Sequence, residues 1–321
     1  MGDPGGRERR ARSVVIGEAL VDVVSTAGSG HVAEHPGGSP LNVAYGLGRL
    51  EHDVALLTRM GDDEHGRLLR AHLAGAGVRL LPGAVDGDPT SVARARLDAE
   101  GKATYEFDLV WRLPQVQVPA DVDLVHTGSI GAAVAPGADS ALQVLRGVRG
   151  RVTTSYDPNV RPAFFASREE ALARVESFVE AADVVKASDE DLAWLLPGED
   201  AEAVARRWQE RGPALVVVTR GGAGATAVAG AGTVHVPAPR VDVVDTVGAG
   251  DSFMSGLLHA LAEHDLLGGA ALPRLRHLGL GTLQSLVATA VASAAVTCSR
   301  AGATPPTRAE LAAASAAVAA R

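Results

Sequence analysis

The chain has 321 residues, of which 46% are hydrophobic but only 3% aromatic, so its core must be built mainly from Ala, Val and Leu. A formal net charge of −8 argues against nucleic acid or an anionic membrane as the main partner, while leaving room for small anions held by amides and a few arginines. The single cysteine, Cys298, excludes an intramolecular disulfide framework and fits a reducing cytoplasm.

The opening "MGDPGGRERRARS" reads as a flexible basic tail over residues 1–13, and "VVIGEALVDVV" carries Glu18 and Asp22, which no signal-peptide apolar region would. Val14 to Val24 is expected as a strand, "LNVAYGLGRL" as a helix burying Leu41, Ala44, Tyr45 and Leu47, "VALLTRMG" as a strand and "DEHGRLLRAHLAGAG" as a helix closed by Gly77. Ser91 to Leu109 breaks the rhythm. It alternates with period two around "DAEG", the pattern of a hairpin with one polar face, placed to act as a lid or merely as a surface ornament. Strands "DLVHTGSI", "VTTSYDPN", "DVVKAS" and "ALVVVT" then alternate with helices "ADSALQVLRGV", "REEALARVESFVEAA", Glu190 to Leu196 and Ala201 to Arg211. Near-continuous apolar strands between helices predict an α/β fold with a mostly parallel sheet covered on both faces. The Ala-rich run Leu286 to Cys298 is too short to span a bilayer. A soluble, cytoplasmic protein is expected.

Two patterns imitate functional motifs. "GGAGATA" offers G-x-G-x-x-A at Gly222, Gly224 and Ala227, but its continuation, "TAVAGAGTVHV", reads as strand and turn, whereas a dinucleotide fingerprint must open a helix. "HVAEH", His31 to His35, matches H-x-x-E-H, yet helix breakers flank it and the zinc motif needs a helix. No P-loop pattern occurs, and Cys298 reads as a small core residue.

"DTVGAGDSFMSG", Asp245 to Gly256, is more informative. Gly248, Ala249 and Gly250 lead into a helix that would bury Phe253, Leu257, Leu258 and Leu261. A Gly-rich turn into a helix start aims unpaired N–H groups and the positive end of the helix dipole at one point, which makes an anion hole. Asp251 in the first turn would stand beside that anion, placed to accept a proton from a hydroxyl attacking a phosphate. The same residues also suit an ordinary helix cap, and this stretch alone does not choose.

With its neighbours the stretch resembles the ribokinase (PfkB) family of sugar kinases, over about Val14 to Pro306. "DTVGAGDSFMSGLL" is similar to that family's C-terminal signature and "GGSPLNVAYGLGRL", from Gly37, to its N-terminal one. Between them, in the family's order, stand "YDPNVRP", "KASDEDL" and "TRGGAG". The resemblance implies a ribokinase-like kinase domain over residues 14–310, with β-lid segments near 22–36 and 88–110 and a C-terminal helix end or tail at 311–321. It implies ATP, Mg2+ and a small sugar as ligands, with K+ a further candidate. Asp251 would be the base, and the amides of Ala249, Gly250 and Asp251, after Gly248, the anion hole. Asp22, Gly37, Gly38 and Asn42 would bind sugar, with Asn159 and Arg161 approaching substrate and phosphate. Ser188, Thr219, Gly221, Gly224 and Gly250 would hold the nucleotide, Asp191 would organise magnesium through water, and Asp245 with Val247 and carbonyls around Arg300 to Ala303 would form a potassium site.

The departures are informative. The family's N-x-x-E reads Ser188-x-x-Asp191, and Ser39 replaces the Lys that follows the GG pair in many members, which makes a phosphorylated sugar a poorer fit. "GEALVDVV", "YDPNVRP" and "SDEDL" resemble the bacterial fructokinase branch and point to fructose. Alternatives are 2-keto-3-deoxygluconate, for which Arg94, Arg96 or Arg161 would have to meet the acid, ribose, and a non-catalytic sugar or nucleotide sensor on the same fold. The exposed edges of the lid suit a homodimer.

Overall fold

The computed structural model describes residues 10–26, 32–97, 103–114 and 117–319. Most of the expected N-terminal tail, the "DAEG" turn and His31 lie outside them. The chain begins with β1 (Arg12–Ile16), β2 (Leu20–Thr26) and β3 (Val32–Gly37), then α1 (Ser39–Arg49), β4 (Asp53–Leu57), β5 (Met60–Gly61) and α2 (Glu64–Gly75). Short strands β6 (Arg79–Leu80) and β7 (Val85–Asp86) precede the hairpin β8 (Ser91–Leu97) and β9 (Ala103–Asp108). Next come β10 (Leu124–Gly128), α3 (Ser129–Ala133), α4 (Gly137–Val148), β11 (Thr153–Asp157), α5 (Arg168–Val179), β12 (Val184–Ser188), α6 (Asp189–Leu195) and α7 (Ala201–Glu210). The chain closes with β13 (Leu215–Thr219), β14 (Ala225–Ala229), β15 (Gly232–Val236), α8 (Ala249–Glu263), α9 (Leu272–Arg276), α10 (Leu280–Cys298) and α11 (Arg308–Ala319).

Nine strands form the main sheet in the order β15-β14-β13-β12-β11-β10-β1-β4-β6. All neighbours are parallel except β13–β14 and β14–β15. Alternate strand residues feed two cores. Val15, Val54, Leu56 and Val217 pack under α1, α2, α8 and α10, whereas Val14, Ile16, Val185 and Val216 pack under α4, α5, α6 and α7. Helices on both faces explain why the strands read as unbroken apolar runs.

The expected strand Val14 to Val24 is two strands in two sheets. The chain leaves the main sheet at Gly17–Ala19, and β2 joins a four-stranded sheet ordered β3-β2-β8-β9. An apolar run does not reveal a change of sheet, because each half satisfies the same period. "VALLTRMG" divides likewise, with Met60–Gly61 pairing to β7 in a two-stranded ribbon. The second sheet is moored by Leu20, Ala93 and Phe107 against Ile130, Val134 and Phe164. The described part of "HVAEH", Val32 to His35, falls on β3, a strand rather than a helix. "GGAGATA" leads through a short turn into β14, not a helix.

The C-terminal Ala-rich helix starts six residues earlier than its Ala-rich run, at Leu280, and its 19 residues are long and apolar enough to cross a membrane. Its surroundings explain that composition: Leu283, Leu286, Val287, Ala290 and Val291 are buried in the core it shares with α8. The two helices approach closely at small residues. A Cβ on Gly256 would fall 2.6 Å from the Cβ of Ser293. Beside this crossing Ser252, Ser293 and Thr297 satisfy one another's hydroxyls, at 2.8 Å between Ser252 and Ser293 and 2.7 Å between Thr297 and Ser252. Gly256→Leu should push α8 from α10 and cost roughly 1–3 kcal/mol, as overpacking does, which urea unfolding would register as a lower midpoint.

Candidate active site

Two helix starts near one another lack the side-chain caps that several other helices carry. α2, α5, α6 and α7 are capped by the side chains of Asp63, Ser167, Ser188 and Asp200, each accepting a backbone N–H. α1 and α8 begin instead at Gly38 and Gly248, with no side-chain cap. Gly248 is left-handed (φ 72°), and a Cβ there would lie 2.5 Å from that of Ala303, so only glycine fits. The amide of Ala249 donates to Thr246 O at 3.2 Å. Among the described residues the amides of Gly250 and Asp251 have no partner, so the hole expected from three amides is reduced to two.

Asp251 is 8% exposed. One carboxylate oxygen accepts from Ser39 Oγ at 2.6 Å and the other from Asn42 Nδ2 at 2.8 Å, both on α1. Burial raises its pKa above the ordinary carboxylate value, while Ser39, Asn42, Lys186 and Arg161 pull it back. The net rise makes it a better base near neutrality than an unperturbed Asp. Asn42, expected on a sugar, here donates to Asp251.

Beside Asp251 opens a cleft of about 650 Å³, lined by Asn159, Arg161, Lys186, Thr219, Gly221, Val247, Gly248 and Gly250 among others. Asp157, Ser188 and Thr219 end β11, β12 and β13, so the cleft lies at the carboxyl edge of the parallel sheet, where open α/β sheets bind ligands. A larger cavity, of about 1110 Å³, opens at the far ends of α1 and α8 around His52 and His259 and holds none of these groups. Ser188 and Asp191 also reach the cleft, but as a reciprocal cap. Ser188 Oγ accepts from Asp191 N at 3.0 Å, Asp191 Oδ2 from Ser188 N at 2.9 Å, and Asp191 Oδ1 from Val160 N at 2.7 Å. The pair thereby fixes the loop carrying Asn159 and Arg161, whose side chains are 2.8 Å apart.

Other expected residues lie elsewhere. Gly224 is absent from the cleft lining and closes the turn after β13, where a Cβ would meet Val236 O at 2.1 Å. Asp22 is on the second sheet, opposite His35, rather than at the end of β1. Its carboxylate lies against Gly37, where a Cβ would fall 2.1 Å away. Burial raises its pKa, opposed by His35 and by Arg161, which also acts on Asp251. Asp245 joins two loops, accepting from Val247 N at 3.0 Å and Gly302 N at 2.9 Å, and these bonds lower its pKa.

Residues 10–310 match the model of the pfkB family carbohydrate kinases. The chain belongs to that family. It is 34% identical over 261 residues to a fructokinase of Rhizobium leguminosarum bv. trifolii, covering 78% of this chain and 80% of that protein. Among solved structures it is similar to a fructokinase with bound ATP from Xylella fastidiosa (TM-score 0.83, 26% identity, 94% of this chain and 97% of that one). It is also similar to a fructokinase variant from Vibrio cholerae O395 bound to fructose, ADP and potassium (TM-score 0.75, 27% identity, 94% and 97%). The fold is ribokinase-like and the protein a sugar kinase.

Three charged residues of this kinase site carried no role in the sequence reading. Lys186 Nζ bonds Asp157 Oδ2 at 2.7 Å, with Asp157 wholly buried. Burial lifts Asp157 to about 6 against the pull of Lys186; burial opposes the lysine's charge, but Asp157 more than compensates and holds it protonated. A lysine inside the apolar strand "VVKAS" was the available signal, since lysines are almost never fully buried unless paired. Glu18 lies in the break between β1 and β2, where strand order reverses between β1 and β10. Its Oε2 accepts from Gly131 N at 2.7 Å, its Oε1 is buried with no partner among the described residues, and burial raises its pKa to about 8.

The folded kinase therefore keeps the Glu18 proton up to about pH 8, while the unfolded chain releases it near 4.5. More protons are bound when folded across that interval, so this contribution to stability declines as pH rises through it. Glu18→Gln should flatten the decline, read as a smaller loss of unfolding free energy between pH 4.5 and about 8. Asp157 adds a slope of the same sign up to about 6, which the variant leaves in place.

Proposed function

We propose that this kinase transfers the γ-phosphoryl group of ATP to the primary hydroxyl of fructose in the cytoplasm, with Asp251 as the base. The carrying observation is the junction of α1 and α8: a buried carboxylate of raised pKa stands beside two unpartnered amides at the start of a 15-residue helix, facing one cleft with Thr219 and Gly221. Those amides and the positive end of α8 would receive the charge on the transferring group. Thr219, Gly221 and Ser188 lie on the nucleotide side, and Asp22 and Arg161 on the sugar side. The fructokinase relatives support a neutral hexose, and Ser39, which gives its hydroxyl to Asp251, places no cation there for a phosphorylated sugar.

Magnesium fits as an ion carried on ATP. Asp191 has each oxygen on one backbone N–H and can accept further from water, and Asp189 and Glu190 line the same cleft. Bound there, it would neutralise phosphate charge. Asp245 ties together the two loops expected to hold potassium. Strands β3 and β9 are the open edges of the second sheet and support a homodimer through the lid.

ADP formation from ATP and magnesium would be measured with fructose, ribose, 2-keto-3-deoxygluconate and adenosine. The expected result is a fructose-dependent rate that falls about 10²–10⁴-fold in Asp251→Asn, the range of general-base catalysis. Faster turnover on the sugar acid would overturn the choice of fructose. ATP binding without turnover on any acceptor would favour the sensor reading.

A further inference from the structure

We propose that Lys186 is a second catalytic group of this enzyme, its ammonium contacting the phosphoryl group in transit while Asp157 aims it. The inference rests on the sugar-kinase reading above. Lys186 is buried except where its side chain reaches the cleft beside Gly250: a Cβ on Gly250 would lie 3.2 Å from Nζ. The ammonium is therefore beside one of the two open amides at the start of α8. It belongs to the same cluster as Asp251, whose ionised form it favours.

A purely structural role explains this pair poorly. Two buried charges are no more stabilising than apolar residues of similar size and are often less so. Here the carboxylate is also underused, since Asp157 Oδ1 is buried with no partner among the described residues. The pair lies at the carboxyl ends of two neighbouring strands, at the edge where the cleft opens, rather than deep in either core. Such a pair keeps a cation fixed and protonated in a site of low dielectric, where it acts strongly on charge that develops nearby.

The chemistry balances without any further reactant. As the sugar oxygen bonds to the γ-phosphorus and the bond from that phosphorus to the ADP oxygen breaks, the hydroxyl proton passes to Asp251. The charge on the remaining phosphoryl oxygens is shared by the amides of Gly250 and Asp251 and by the Lys186 ammonium, which keeps its own protons throughout.

Steady-state kinetics with fructose and MgATP on Lys186→Met, Lys186→Arg and the double variant Asp157→Asn/Lys186→Met test this. Lys186→Met should lower kcat by about 10²–10³-fold, the loss typical of removing one donor to a transition-state anion, with both KM values near wild type. Lys186→Arg should recover part of the loss. The double variant leaves no unpaired buried charge, so it should melt near the wild type and remain as slow as Lys186→Met. A folded Lys186→Met with wild-type kcat, or a double variant that regains activity, would overturn the inference and leave Lys186 as a counter-ion only. Calorimetry supplies a second readout: with fructose present, Lys186→Met should weaken binding of ADP plus aluminium fluoride more than binding of ADP alone, and equal losses would count against it. A wild-type enzyme that turns over no sugar would defeat the sugar-kinase reading and this inference together; an active wild type with an equally active Lys186→Met defeats the inference alone.

Discussion

Buried charge at the carboxyl edge of the sheet is the constraint around which the rest of the molecule is arranged. Asp157, Lys186, Asp251 and Asp191 are each under a tenth exposed and lie at or around one cleft. Each is compensated differently: Lys186 by Asp157, Asp251 by Ser39 and Asn42, and Asp191 by two backbone amides. Uncompensated charges there would cost several kcal/mol apiece. The elements that supply the partners, α1, β11, β12 and the loop at Val160, are therefore held in register by the same bonds that shape the site.

The two helices that converge on Asp251 are held at both ends. At their starts the Asp251 carboxylate bridges to Ser39 and Asn42, and at their far ends His52 Nε2 and His259 Nδ1 stand 3.0 Å apart. Burial holds both imidazoles neutral, with His52 brought down to about 3, so one can donate to the other. Between these fixed ends α1 and α8 pack within one core, and Gly256 lets α8 approach α10. The Asp251 carboxylate is thus set by two packed helices rather than by a loop, which suits phosphoryl transfer, where placement matters more than base strength.

The second sheet is tied to the same machinery. Its mooring sets Phe107 against Phe164, with ring centroids 4.9 Å apart, and Phe164 is only a few residues beyond Asn159 and Arg161. Asp22 stands on this sheet and Arg161 on the main body, yet the Arg161 charge pulls down the pKa of Asp22. A rearrangement of the sheet would therefore change the distance between Asp22 and the Arg161 charge.

The sequence by itself determined the parallel core, the family and the place of Asp251 at a glycine-led helix start. These rest on short-range information: apolar strands of the right length, glycines before a helix, and motifs in a specific order. What only the tertiary structure decided was partnership. The break at Gly17–Ala19 sends Asp22 to another sheet, Asn42 turns to Asp251, Ser188 and Asp191 cap one helix, and Gly224 closes a turn outside the cleft. Lys186 and Asp157 are 29 residues apart and meet only because β11 and β12 are parallel neighbours. Hydrogen bonds and buried charges are satisfied by whichever groups the fold brings within about 3 Å, and that proximity is not encoded in the local spacing of residues.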